Sequence, residues 1–229
     1  PDARLAPLAV APFADRLISR VRDLGHPLCV GLDPHLAPIP PLFQQGTMAT
    51  DDERTVDAVE SFLSAVLERL AGRVAVIKPQ IAFFEQLGWR GMKVLDALCR
   101  RAAELDLLVL LDAKRGDIGS TAEGYAAAYL APDAAMPVDA ITLSPYLGFD
   151  TIEPFARVAG DAGRGLFVLV RTSNPGSADL QDRDVNGDPL FGLVAEGLGR
   201  FETQLAGETT PWSSLGVVVG ATWPQELAD

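Results

Sequence analysis

Short apolar runs alternate along the chain with longer stretches in which apolar positions recur at helical spacing. The apolar runs mostly lack polar alternation, which is typical of strands that are buried on both faces of a parallel sheet. Six such runs predict strands at Leu28–Leu32, Val74–Lys78, Leu107–Asp112, Asp139–Leu143, Leu166–Arg171 and Leu215–Gly220. Strand and helix patterns alternate six times, about once in every 35 residues, which indicates successive βα units.

The clearest helical pattern lies between the first two predicted strands. Its apolar side chains fall on one stripe of a helix, formed by Val56, Val59, Phe62, Leu63, Val66, Leu67 and Leu70. Capping boxes are predicted at two helix starts, at Thr50 with Glu53 and at Ser120 with Glu123. The second box opens a predicted helix through Tyr129. Loops are predicted at the proline-rich segment Pro34–Thr50 and at the polar segment Asp179–Pro189.

Two architectures fit alternating βα units: an open doubly wound sheet and a closed (β/α)8 barrel. The glycine motifs G-x-G-x-x-G after a strand and G-x-x-x-x-G-K-[ST], which mark open nucleotide-binding sheets, do not occur in the sequence. Polar residues instead lie at the ends of the first four predicted strands, at Asp33, Lys78, Asp112 with Lys114, and Ser144. Barrel enzymes place their chemistry at the C-terminal ends of several strands, whereas open sheets concentrate it at one switch point. We therefore predict an α/β fold of the (β/α)8, or TIM-barrel, type.

The composition is that of one folded domain. The chain has 229 residues, of which 48% are hydrophobic and 22% are charged, so we expect a single domain over residues 1–229. The longest apolar runs, such as Leu107–Leu111, are far shorter than the ~18–20 residues of a membrane-spanning helix. A net charge of −12 argues against a binder of nucleic acid or anionic membranes, but a pocket can still take a small anion.

Cysteine and histidine are scarce. Cys29 and Cys99 cannot form a disulfide framework, and with only His26 and His35 beside them no zinc cluster is indicated. We therefore expect a reducing compartment, the cytoplasm. The first twelve residues lack the charged start and long apolar core of a secretion signal.

The strongest signal for chemistry is the segment Leu111–Thr121, at the end of the third predicted strand. Asp112 and Lys114 are two residues apart at a strand end, so their side chains are expected on the same side. Gly116 and Gly119 permit tight backbone turns. The helix that follows presents an N-terminus, which attracts anions.

The order of charges in this segment suggests a type of chemistry. Lys114 stands between Asp112 and Asp117, and neighbouring carboxylates favour its ammonium form. An ammonium is a poor Schiff-base nucleophile, but it is a good proton donor and stabilises a developing carbanion. The residues themselves therefore favour protonation of a carbanion over Schiff-base aldolase chemistry.

Each candidate residue also has a purely structural alternative. The charged segment could be a run of surface ion pairs. Asp33 could start a loop, and Lys78 could extend its aliphatic stem along a strand end into solvent. Ser144 could stabilise a turn before the following proline, and Thr121 could simply start a helix. Only the joint occurrence of these residues favours a site.

Sequence segments follow the six predicted strands in a fixed order: Gly31–His35, Ile77–Glu85, Asp112–Thr121, Thr142–Gly148, Arg171–Pro175 and Gly216–Thr222. Together they resemble the orotidine 5′-phosphate decarboxylase family, and in particular its bacterial subgroup with the string D-A-K-R-G-D-I-G-S-T. One segment alone is modestly specific, whereas all six in order are very specific. The resemblance extends over almost the whole chain.

The resemblance implies decarboxylation of orotidine 5′-phosphate to uridine 5′-phosphate (UMP) in de novo pyrimidine biosynthesis, with no metal and no organic cofactor. It implies a homodimer of (β/α)8 barrels with active sites at the subunit interface. The matching residues form an alternating array of Lys78, Asp112, Lys114 and Asp117, in which Asp117 enters the partner's site. Lys114 is then the proton donor to C6 of the pyrimidine, and Asp112 lies against the departing carboxylate.

The same resemblance implies the substrate-binding residues. Asp33 and Lys78 would hold ribose hydroxyls, Thr121 would contact the ribose across the interface, and Ser144 would hydrogen-bond the pyrimidine. Arg115 and the segment Arg171–Gly176 are assigned no role.

Two other functions stay open at this point. A related barrel decarboxylase acting on a keto-sugar phosphate shares a D-x-K-x-x-D core but depends on magnesium. A catalytically inactive relative would bind a nucleotide or serve as an interaction module without turning a substrate over.

The number of predicted strands leads to a further expectation. A (β/α)8 barrel typically needs ~250 residues, and this sequence has patterns for only six βα units. We therefore expect the last two units to be missing, together with the phosphate loop and phosphate-binding arginine that the family carries there. Trp223–Asp229 is predicted to begin the helix after the sixth strand.

Overall fold

A parallel sheet forms the centre of the molecule. The structure is a computed structural model, and it describes residues 10–226. Six strands pair side by side in the order β1-β2-β3-β4-β5-β8, every pair parallel. They are β1 (Cys29–Leu32), β2 (Val76–Pro79), β3 (Leu108–Arg115), β4 (Ala140–Leu143), β5 (Gly165–Arg171) and β8 (Leu215–Val219). All six predicted strands are confirmed, and β3 continues past its predicted end at Asp112 to Arg115.

The helices lie between the strands in sequence, as the alternating pattern predicts. They are α1 (Phe13–Leu24), α2 (Glu53–Leu70), α3 (Ala82–Glu85), α4 (Gly88–Glu104), α5 (Gly119–Tyr129), α6 (Glu153–Ala162) and α7 (Leu190–Leu198). Within residues 10–226, no helix is both long and apolar enough to cross a membrane. The alternation of parallel strands and helices gives an α/β fold of the TIM-barrel type.

Two apolar clusters hold the sheet in place. The larger cluster lies between the sheet and its helices, and it includes the predicted stripe of α2 through Val56, Val59, Leu63 and Leu67. The smaller cluster forms where α1 covers the other side of the sheet. There Phe13 packs with Val76, Leu108, Leu110 and Ala140. The apolar cores therefore leave the C-terminal ends of the strands free for polar side chains.

The capping box predicted at Thr50 and Glu53 is wrong. α2 begins at Glu53, and Asp52 is its N-cap. The Asp52 carboxylate accepts a hydrogen bond from the backbone N–H of Arg54 at 3.0 Å and another from the backbone N–H of Thr47 at 2.8 Å. Because the capping side chain must lie directly before the first helical residue, Thr50 stands two residues too early.

The second capping box, at Ser120 and Glu123, is also wrong. α5 begins at Gly119, so Ser120 already lies within the first turn, and none of the described side chains caps this helix. Gly119 has a φ of 51°, a left-handed value that glycine adopts without strain. The predicted helix through Tyr129 is nevertheless confirmed.

The predicted loop at Pro34–Thr50 contains neither a helix nor a strand. The polar segment Asp179–Pro189, in contrast, contains a short antiparallel hairpin of β6 (Asp184–Val185) and β7 (Asp188–Pro189). Its turn is Asn186-Gly187, with φ values of 60° and 104°. Asn-Gly is the preferred pair for a two-residue hairpin turn, so the sequence carried this signal.

Both ends of the chain extend beyond the described residues. The predicted helix start at Trp223–Asp229 is described only to Glu226, and Trp223–Glu226 forms bends and a turn rather than a helix. The first twelve residues, in which no secretion signal is predicted, are described only from Val10 onward.

Candidate active site

Polar side chains from three neighbouring strands meet at the C-terminal edge of the sheet. Lys78 extends from β2, Asp112 and Lys114 from β3, and Thr142 from β4. Lys78 Nζ lies 3.0 Å from Asp112 Oδ2, and Lys114 Nζ lies 2.5 Å from Asp112 Oδ1. The structure thus brings together three of the predicted array residues, with one carboxylate between two ammonium groups.

The Asp112 carboxylate is buried, with 7% of the residue exposed. Besides the two lysines, the Gln80 side-chain amide donates to Oδ2 and the Thr142 hydroxyl donates to Oδ1, each at 3.0 Å. Burial alone would raise the pKa of Asp112, but the hydrogen bonds from Lys114 and Lys78 outweigh this effect and lower its pKa. Asp112 is therefore an ionised, immobilised carboxylate at neutral pH.

An irregularity in β3 directs Lys114 to this carboxylate. Leu111 pairs with Ile141 and Arg115 pairs with Leu143, so three residues of β3 face the single residue Thr142 of β4. Lys114 adopts a φ of 48° within this bulge. For a residue other than glycine this left-handed conformation costs roughly 1–2 kcal/mol. Such strain is commonly found at functional sites, where the surroundings enforce it.

The residue after Lys114 faces away from the array. Arg115 forms an ion pair with Glu85 of α3 at 2.7 Å, and its guanidinium lies 5.3 Å from the ring centroid of Tyr125 on α5. The next residue, Gly116, passes so close to the Ser144 carbonyl that an added Cβ would lie 2.8 Å from that oxygen. These contacts anchor the end of β3 to the helices on either side of it.

Lys114 also lines a cleft of about 570 Å³ at the same edge of the sheet. Its polar wall comes from the segment after β5, through Thr172, Ser173, Asn174 and Gln181. Gln181 fixes this wall, since its side-chain amide accepts from the Thr172 backbone N–H at 2.9 Å and donates to the Thr172 hydroxyl at 2.8 Å. The sequence pattern predicts no role for these residues, although their segment begins at a strand end as the other site residues do.

Among the described residues, the other predicted site residues form no ion pair or side-chain hydrogen bond with the array. Asp33 follows β1 and is exposed, and within residues 10–226 it forms no ion pair with Lys78 or Lys114. Ser144 follows β4 and lines an adjoining, mainly apolar cleft of about 510 Å³. Asp117 accepts a hydrogen bond from the Ile118 backbone N–H at 2.8 Å. Thr121 is exposed on the first turn of α5.

A buried arginine stabilises the polar wall of the cleft. Arg171, the last residue of β5, is only 1% exposed. Its guanidinium pairs with Asp182 at 2.6 Å and with Glu226 at 3.0 Å, and it lies 4.1 Å from the ring centroid of Trp223. Because Asp182 follows Gln181 directly, this ion pair holds the loop over the cleft.

Comparisons with known proteins show which family the chain resembles. The profile of the orotidine 5′-phosphate decarboxylase / HUMPS family matches residues 26–197. The chain is 45% identical to an orotidine 5′-phosphate decarboxylase of Salinispora tropica over 92% of this chain and 71% of that protein. It is 43% identical to the Nocardioides enzyme of the same name over 92% of this chain and 74% of that protein.

Solved structures give the same result for the fold. A structure of a candidate orotidine 5′-phosphate decarboxylase from Streptomyces avermitilis superposes with a TM-score of 0.80 at 40% identity, covering 96% of this chain and 73% of that chain. The OMP decarboxylase of Leishmania donovani superposes with a TM-score of 0.74 at 36% identity, covering 95% of this chain and 74% of that chain.

Proposed function

The chain belongs to the orotidine 5′-phosphate decarboxylase family, and from this premise we propose that Lys114, held by Asp112, is the acid of its reaction. The activity is that of a carboxy-lyase in pyrimidine biosynthesis, which converts orotidine 5′-phosphate to UMP and carbon dioxide. The observation that carries the role of Lys114 is the Lys78–Asp112–Lys114 contact at the C-terminal edge of the sheet.

The chemistry requires a fixed positive charge. When the bond between C6 and the carboxyl group breaks, carbon dioxide departs and the electron pair stays on C6, where the ring cannot delocalise it well. The protein must then stabilise this charge with groups that are already in position. The Lys114 ammonium beside C6 serves as a counter-charge and then transfers a proton to C6. The neutral amine left behind recovers its proton from water.

Asp112 has two roles in this proposal. It orients Lys114, and its charge lies against the departing carboxylate of the substrate, which favours the loss of that group. Lys78 balances the charge of Asp112 from the other side. In this proposal, Lys78 and Asp33 also bind ribose hydroxyls of the substrate. Ser144 is the predicted hydrogen-bond partner of the pyrimidine, and it lines the adjoining cleft. Ser173 lines the same cleft as Lys114.

A second subunit would complete the array. Within the part of the chain that the structure describes, neither Asp117 nor Thr121 forms a hydrogen bond or ion pair with the Lys114 side chain, although both follow the same strand. Apolar side chains near them are exposed: Ile118 by 62%, Tyr146 by 79% and Leu147 by 50%. Exposed apolar residues around an incomplete site are typical of an interface. We therefore propose a homodimer in which Asp117 and Thr121 of each chain enter the partner's site.

The two missing βα units and the cytoplasmic location of the protein stay predictions. β1 and β8 each pair on one side only within residues 10–226, and Val217 of β8 is 40% exposed. Unpaired parallel edges are normally covered, so we propose two further βα units between them, which would close an eight-stranded barrel. The cytoplasmic location follows only from the scarcity of cysteine.

The proposed function is tested by ultraviolet absorbance of orotidine 5′-phosphate, with and without a metal chelator. We expect the absorbance to change on addition of the enzyme, at the same rate in both conditions. An intact protein that leaves the absorbance unchanged would contradict the decarboxylase function. Activity on orotidine 5′-phosphate that the chelator abolishes would contradict a decarboxylase that works without a metal ion.

A further inference from the structure

Thr142 lies opposite the bulge of β3, at the centre of the strand pair that carries the array. It is 3% exposed. Its hydroxyl accepts hydrogen bonds from the backbone N–H groups of Ala113 at 3.0 Å and Lys114 at 2.9 Å, and it lies 3.0 Å from Asp112 Oδ1. An ionised carboxylate only accepts hydrogen bonds, so the hydroxyl donates to Asp112. The one proton and both lone pairs of the Thr142 hydroxyl therefore all take part in hydrogen bonds.

These three hydrogen bonds control two features of the site at once. The two accepted bonds hold the backbone of the bulge, from which the Lys114 side chain extends at a left-handed φ of 48°. The donated bond fixes the rotation of the Asp112 carboxylate, whose same oxygen receives the Lys114 ammonium. A threonine is suited to this task, because its β-branched side chain has few rotamers available in a strand.

We propose that Thr142 is a positioning residue for decarboxylation: it aligns Lys114 and Asp112 relative to each other without touching the substrate. The proposal rests on the decarboxylase function described above. It predicts that the hydroxyl matters for the chemical step far more than for substrate binding, since a small displacement of the acid from the reacting carbon lowers the rate steeply.

The experiment compares Thr142→Val with Thr142→Ser and with a matched control, Thr55→Val. Thr55 on α2 is also fully buried, and its hydroxyl has no hydrogen-bond partner among the described residues. The full chain of each variant is assayed for kcat and KM with orotidine 5′-phosphate. The folded fraction is measured by circular dichroism and thermal unfolding. If the valine variant does not fold, Thr142→Ala removes the same hydroxyl with a smaller side chain.

We expect Thr142→Val to lower kcat on the order of 10- to 100-fold, with KM changed by less than about threefold. Thr142→Ser keeps the hydroxyl and should recover kcat to within about threefold of the wild type, and Thr55→Val should match the wild type. A folded Thr142→Val with wild-type kcat would overturn the proposal, as would a serine variant as slow as the valine one. If the wild-type chain does not decarboxylate the substrate, the proposed function itself fails, and the role of Thr142 fails with it.

Discussion

Lys114 Nζ lies 2.5 Å from Asp112 Oδ1, and the two residues are only two positions apart in the same strand. The alternation of side chains along a strand predicts that both point to one side. The structure adds a bulge, in which Lys114 takes a left-handed backbone conformation. The Lys114 ammonium therefore contacts a carboxylate of its own strand, and Lys78 contacts the same carboxylate from the neighbouring strand.

The proposed dimer predicts complementation between two inactive variants. In a mixture of Lys114→Ala and Asp117→Ala chains, one site of each mixed dimer has an intact Lys114 and an intact Asp117. With random pairing, about a quarter of wild-type activity should therefore return. The measurement is the decarboxylation rate after the two chains are mixed and allowed to exchange. Each variant alone is the control, and a mixture as inactive as its components would contradict shared sites.

Arg171 is expected to be important for both stability and substrate binding. Arg171→Met removes the cation between Asp182 and Glu226. Because both carboxylates are partly exposed and remain hydrated, the free energy of unfolding should fall by about 1–2 kcal/mol. Arg171→Lys should not restore it, since a lysine lacks the planar fork that serves two carboxylates and stacks on a ring. Urea unfolding measures this effect.

The same change should also leave the loop that forms the polar wall of the cleft less ordered, and this should weaken substrate binding. We expect KM for orotidine 5′-phosphate to rise on the order of tenfold in Arg171→Met. Substrate binding must then order the loop, and the free-energy cost of this ordering weakens binding. Arg22→Met, at an exposed position of α1, is the matched control and should leave both quantities unchanged. Unchanged KM and stability in Arg171→Met would show that the buried arginine has neither role.

Asp15 predicts an acid-dependent stability that is independent of catalysis. Its carboxylate accepts hydrogen bonds from the backbone N–H groups of Glu208, Thr209 and Thr210 and from the Thr210 hydroxyl, at 2.7–3.0 Å. Burial would raise the pKa of Asp15, but these bonds lower it from 3.8 to about 2. The stabilisation is therefore complete above the unfolded value, and it is lost as pH falls from about 4 towards 2.

The test compares thermal unfolding of the wild type and Asp15→Asn across this pH range. At neutral pH we expect the variant to be less stable by about 1–3 kcal/mol, and the difference should shrink towards pH 2. kcat should not change, because Asp15 lies on α1, away from the array. Asp23→Asn, at an exposed position of the same helix, is the control. A difference in stability that grows on acidification would contradict the assigned hydrogen bonds.

The sequence predicted the sheet because its strands are continuous apolar runs. It also predicted that Lys78, Asp112 and Lys114 lie close together, because parallel strands end at a common edge of the sheet. It did not reveal Thr142, since one hydroxyl within an apolar strand does not show which backbone groups it meets. The bulge that creates this contact arises from pairing between β3 and β4. Asp117 and Thr121 also follow this strand, but in the proposed dimer they act in the partner's site, and a pattern along one chain does not show contacts between chains.

Local signals were less reliable than the strand pattern. Thr50 satisfied the spacing of a capping box, but Asp52 stands nearer the helix start and offers a stronger acceptor to the backbone. The Asn186-Gly187 turn carried a hairpin signal, but the strands beside it are two residues each and lack any apolar alternation. Arg171 gave no sequence signal of burial, because its partners come from residues that the fold brings together.

The central claim, that Lys114 is the acid of the decarboxylation, is tested most directly by the turnover of Lys114→Ala. The loss of orotidine 5′-phosphate absorbance is followed for the wild type, for Lys114→Ala and for Lys93→Ala, which alters the one lysine of the sequence outside the array. UMP binding is measured on the same samples. We predict that turnover is abolished in Lys114→Ala while UMP still binds, and that Lys93→Ala matches the wild type. Near-normal turnover by Lys114→Ala would contradict the account.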